Sequence, residues 1–227
     1  MARHNLSWRR EEEHVRDRFG LLLLLLASSF VALGFTATWM KVLASALQLA
    51  ALVVAFAATG LRRDRVVLGT AAVAGLVAVG LAAVTGPPGV AQGVAALASC
   101  VVLVAILVGV LDRVLRHRRV TSQTLFGAVC AYFLIGLTFS SVYLALDAFG
   151  SSPIFGERVA TSVYSYFSFT TLTTVGFGDY TAVTDVGRRI VAIEAITGEI
   201  FLATTLARLV SLFRGPGPAA PAPATDG

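Results

Sequence analysis

Thr173-Thr174-Val175-Gly176-Phe177-Gly178-Asp179-Tyr180 is the stretch whose reading decides the fold. Glycine has no Cβ and takes backbone conformations that other residues avoid. Two glycines one residue apart let a strand run with its carbonyls aimed to one side. Four such strands around an axis would stack rings of oxygens, which can replace the hydration shell of an ion. Thr174 could add a ring of hydroxyls at the inner end. A lone glycine pair would read as a turn after an apolar helix. Here the octet stands between two apolar segments of membrane length, which weighs against a simple turn.

The chain has 227 residues, 56% hydrophobic and 14% charged, with mean hydropathy +0.80. Soluble domains carry about 25% charged residues, so the composition reads as an all-α integral membrane protein. Lys41 is the only lysine among 18 basic residues, and with the Ala, Val and Gly richness this suggests a GC-rich bacterial genome. The net charge of +5 does not point to nucleic acid, because the basic residues cluster in short loops between apolar segments. Cys100 and Cys130 both fall inside apolar segments, so no disulfide framework, metal site or cofactor is implied. Residues 21–35 run on without a small-residue cleavage site and open a polytopic pattern.

Residues 1–19 are dense in charge and form a cytoplasmic N-terminal segment. They read equally as an interfacial helix anchored by Trp8 and Phe19 or as a solvated tail. Six apolar segments follow, at 20–39, 42–61, 66–86, 90–111, 125–146 and 189–213. Each approaches the ~20 residues a helix needs to cross a bilayer. Basic residues crowd the N-terminal segment, Arg62-Arg63-Asp64-Arg65 and the run 112–119, whereas the first connection holds only Lys41 and the third none. The positive-inside rule then places both termini in the cytoplasm and the residues after Asp179 outside. The domains expected are 1–19, a four-helix unit over 20–119, a second membrane unit over 120–214, and a disordered Pro/Ala/Gly-rich tail over 215–227.

The octet resembles the selectivity filter of potassium channels, whose usual form is TTVGYGD. Phe177 stands in the tyrosine position, a departure several branches of that family share. The resemblance covers about residues 125–213. It implies an outer helix, a re-entrant pore helix over Thr161–Leu172, a filter loop and an inner helix, repeated in four chains. It further implies that Thr174, Val175, Gly176 and Phe177 present carbonyls to K⁺ as the permeant ion. Thr173 and Gly178 complete the filter, and Asp179 stands at its outer mouth. Gly187-Arg188 would open the inner helix, and Gly198 falls where the family often has its gating-hinge glycine. Thr170 replaces the pore-helix carboxylate that bonds the post-filter Asp in well-known bacterial two-helix channels. Tyr166-Phe167 replaces a tryptophan pair, and Tyr166 could still offer a hydroxyl to Asp179. The implied function is passive K⁺ conduction across the plasma membrane by a homotetramer in the lipid bilayer, without enzymatic activity.

Four helices before such a module resemble the layout of voltage-gated channels, but a sensor needs Arg at every third residue within the membrane. Segment 90–111 holds no basic residue, and Arg113, Arg116 and Arg119 lie at or past its cytoplasmic end. Strong voltage gating is not expected. Glu194 and Glu199 lie inside the last apolar segment. Five residues apart on a helix, they point about 140° apart, so both cannot face one axis. Glu199 is the candidate for the cavity, and Glu194 for a place behind the filter, bonded to pore-helix hydroxyls such as Thr170 or Thr171. A secondary transporter would show inverted repeats and paired broken helices, and neither is visible. An intramembrane enzyme would need a polar cluster at membrane depth, yet His4, His14 and His117 all fall in cytoplasmic segments.

Overall fold

The computed structural model describes residues 18–33, 88–116 and 122–213, together with Leu43, Leu47, Ala50, Ala51 and Val54. The segment 66–86, most of 42–61, the charged N-terminal segment before Arg18 and the tail after Phe213 lie outside the described residues. All regular structure among the described residues is helical: α1 (Arg18–Leu33), α2 (Pro88–Arg116), α3 (Ser122–Phe149), α4 (Thr161–Leu172) and α5 (Asp185–Phe213). Among the described residues three stretches are long and apolar enough to cross a membrane, Gly89–Asp112, Thr124–Phe149 and Asp185–Arg208, and Phe19–Val31 is a shorter apolar helix.

The helix ends follow local chemistry. Pro88 opens α2 in the first turn, where its missing N–H costs nothing. α2 then runs on to Arg116, so part of the basic run expected as a loop is helical. At the start of α5 the Thr184 hydroxyl accepts the Gly187 N–H at 3.1 Å, and Asp185 sits in the first turn, where a negative charge favours the helix dipole.

α3 is the hub, packed against α1, α2, α4 and α5. Its buried Cys130, Ala131, Leu134 and Leu137 meet Leu22 and Leu26 of α1 and Leu103 and Ile106 of α2. Toward its other end Tyr143 joins Tyr164 and Phe167 of α4 and Ile154 of the connecting loop in a second core. α1 reaches α4 through Phe30, whose ring lies 4.7 Å from that of Phe169. Among the described helices α5 packs chiefly against α3 and α4. Its Ile193, Ile196, Ile200 and Leu206 are all more than half exposed, an apolar face that a single chain leaves uncovered. At the far end of α5, the Arg208 guanidinium donates to the Leu115 carbonyl of α2 at 2.9 Å, one of the terminal carbonyls that a helix cannot satisfy itself.

Candidate functional site

The site is the octet and the elements that hold it. α4 is 12 residues long and ends at Leu172, where the octet begins. Helix ends leave four carbonyls without intrahelical partners, and here all four have donors. Phe169 O accepts the Thr173 N–H at 3.1 Å, and Thr171 O accepts the Thr174 N–H at 2.9 Å. Thr170 O accepts two donors, the Val175 N–H at 3.0 Å and the Gly176 N–H at 3.1 Å. Leu172 O accepts the Tyr132 hydroxyl of α3 at 2.9 Å.

The paired donation to Thr170 O fixes the strand's orientation. φ is positive at Thr174 (59°), Gly176 (47°) and Gly178 (78°), and at neither Val175 nor Phe177. Alternating the sign of φ turns successive peptide N–H groups to one side, where they form a concave nest around an oxygen. Thr170 O occupies that nest with the N–H groups of Val175 and Gly176, so by stereochemistry the carbonyls of Thr174 and Val175, in the same two peptides, face away from Thr170 O. Among the described residues no hydrogen bond ends on a carbonyl of 174–178. Two of these positions are glycine, and Thr174 bears the left-handed conformation at a cost of about 1–2 kcal/mol. Val175 is 55% and Phe177 69% exposed, so one chain does not cover its own strand.

Outside the nest, the Tyr166 hydroxyl donates to Asp179 Oδ2 at 2.8 Å, and the Tyr166 ring stacks on Phe177 at 6.3 Å with planes 5° apart. The bond to Asp179, the larger cause, raises the Tyr166 hydroxyl above the ordinary tyrosine range. Beyond the octet the Val183 N–H donates to Ile154 O at 2.8 Å, and the Ile154 N–H donates to Asp147 Oδ1 at 2.9 Å. Burial first, then the neighbouring Asp147 carboxylate, pushes the Tyr164 hydroxyl well up. The loop after the octet is thereby tied through Ile154 to the end of α3.

Glu194 is fully buried, but its partners are not Thr170 or Thr171. The Thr170 hydroxyl turns back to Phe167 O at 3.0 Å. Glu194 instead meets Ser168 of α4 and Tyr143 of α3. Glu194 is thus bonded to a hydroxyl of α4, as expected, but to that of Ser168, a little over half a turn before Thr170 on the helix. Glu199 is exposed and Gly198 buried. A Cβ added at Gly198 would lie 2.5 Å from Leu172 O, so this glycine is needed for the close approach of α5 to the end of α4. Tyr132, Tyr143 and Ser168 carry no signal in the sequence, since one hydroxyl among many on an apolar helix cannot be told from its neighbours.

Residues 131–215 match a family model described as an ion channel. No curated protein and no solved structure matches the chain. The matched span runs from inside α3 through α4 and the octet to just past α5. The likeness to ion channels therefore rests on the residues that build the site, and it supports passive ion conduction through a membrane.

Proposed function

We propose that four copies of this chain form a K⁺-selective channel in the plasma membrane, with both termini cytoplasmic. The observation that carries this reading is the nest on Thr170 O. With the N–H edge of the strand held by α4, the carbonyls of Thr174, Val175, Gly176 and Phe177 are left for another oxygen-seeking partner, and rings of such carbonyls replace the water around K⁺. The uncovered strand and the apolar face of α5 suit burial against further copies and lipid. α4 enters from the outer side as a re-entrant helix too short to span, and its backbone at membrane depth is covered by α3 and α5.

The remaining assignments follow. Asp179 stands at the outer mouth, Glu199 faces the central cavity, and α2 is not a strong voltage sensor, because Gly89–Asp112 contains no basic residue. The test is reconstitution of the full chain into potassium-loaded liposomes diluted into sodium. The expected result is a K⁺ diffusion potential, carried also by Rb⁺, with weak dependence on voltage. Equal flux of Na⁺, no flux, or steep opening with voltage would each count against the reading.

A further inference from the structure

Glu194 is wholly buried where α3, α4 and α5 meet. The Tyr143 hydroxyl donates to its Oε2 at 2.6 Å, and its Oε1 lies 2.5 Å from Ser168 Oγ. Ser168 Oγ lies 2.7 Å from the Gly136 carbonyl of α3. A hydroxyl carries one proton. Tyr143 places its proton on Oε2, and Ser168 has one proton for two close oxygens. Were Glu194 ionised, one of the two Ser168 contacts would set lone pair against lone pair. With a carboxylic acid the count closes: Glu194 donates to Ser168, and Ser168 donates to the Gly136 carbonyl.

The surrounding charges agree. α4 carries no charged residue. The only one on α3 is Asp147, which accepts the Ile154 N–H. On α5, Arg188 donates to Ala182 O and Arg208 to Leu115 O, while Asp185, Arg189 and Glu199 are exposed. The other titratable groups nearby are the tyrosines 132 and 143. Among the described residues no cation faces Glu194, and a buried anion without one is costly.

We propose that Glu194 is held as a neutral carboxylic acid, a positioning residue whose proton joins α5 to Ser168 of α4 and, through it, to Gly136 of α3. It fixes the helix that carries Thr170 without placing negative charge behind the strand of 174–177. The channel reading bears only on the flux measured below, since the protonation of Glu194 is read without it.

Infrared spectroscopy of the reconstituted full chain tests this. The parent should show the carbonyl stretch of a protonated carboxyl at neutral pH. Glu194→Gln should abolish that band, and Tyr143→Phe, which removes the donor to Oε2, should shift it to higher frequency. The Gln amide can accept from Tyr143 and donate to Ser168, so Glu194→Gln should keep the parent's flux and its pH profile, whereas Glu194→Leu should lose both flux and thermal stability. Absence of a band that responds to Tyr143→Phe overturns the proposal, even if Glu194→Gln fails to fold. A band present in the parent with flux lost in a well-folded Glu194→Gln overturns the positioning role.

Discussion

The Tyr166 hydroxyl donates to the Asp179 carboxylate at 2.8 Å, across the stack that the same ring makes with Phe177. Besides the bonds at the start of the octet, α4 therefore holds its middle through Thr170 O and its far end through Tyr166. Tyr166→Phe keeps the stack and removes the donor. We expect conduction to fail sooner than in the parent when external K⁺ is lowered, because the Asp179 end of the octet loses its tether. The raised Tyr166 hydroxyl gives a sign. The bond is fully present below the ordinary tyrosine value of about 10 and is lost only as pH climbs past the raised value. The parent should therefore lose low-K⁺ tolerance in strong alkali, while the Phe variant stays flat. Identical behaviour of the two proteins would dismiss the tether.

Gly198→Ala separates two accounts of one glycine. Alanine favours an exposed helix over glycine by about 1 kcal/mol, so a glycine kept only for bending should yield a more stable protein. The added Cβ would instead lie 2.5 Å from Leu172 O and 2.9 Å from Leu172 Cδ1. Backbone cannot yield cheaply, and overpacking typically costs about 1–3 kcal/mol. Thermal unfolding of the assembled protein should show a loss, and a gain would refute the contact.

Tyr132→Phe removes the single hydroxyl that α3 lends to Leu172 O, leaving its ring against Phe201 at 5.8 Å. The loss is about 1 kcal/mol, spent at the junction of α4 and the octet. Amide exchange at Thr173, Thr174 and Val175 should quicken while that of α2 does not change. Uniform exchange across both regions would mean that Tyr132 only packs.

The octet and α4 were legible in the sequence because each has a strong local cause. Two glycines in five residues mark a backbone that needs positive φ, and the aromatic, hydroxyl-rich Thr161–Leu172 is bounded by a loop and by the octet, so its helix falls where expected. The segments at 90–111, 125–146 and 189–213 were legible by length and apolarity, and the helices overrun them by a few residues because apolarity says little about where the last turn stops. What could not be read is rotation. α4 carries hydroxyls on all sides, and neither α3 nor α5 has a polar face, so nothing in the sequence tells which hydroxyl meets Glu194. Packing sets the rotation: Tyr143 on Phe167 and Phe133 on Phe169 flank Ser168, which meets Glu194 of α5.

Glu199 lies on an exposed side of α5, next to the buried Gly198. If four copies ring a cavity, their charge concentrates cations there by focusing the field. Glu199→Gln keeps the shape and removes the charge. Block by polyamines or Mg²⁺ applied from the cytoplasmic side should weaken, roughly tenfold for each 1.4 kcal/mol of attraction lost. Unchanged block would place Glu199 away from the ion path.

The reversal potential under opposed K⁺ and Na⁺ gradients, recorded for the parent and for Gly176→Ala, bears most directly on the central claim. Nothing lies within 4 Å of the Cβ that this substitution adds, and φ at Gly176 is +47°. The change therefore acts through the backbone alone, at about 1–2 kcal/mol per chain. The account predicts a parent potential that follows the K⁺ gradient, and a variant whose potential collapses toward zero or whose current is lost. A parent potential near zero, or a variant as K⁺-selective as the parent, would contradict the claim that these carbonyls select the ion.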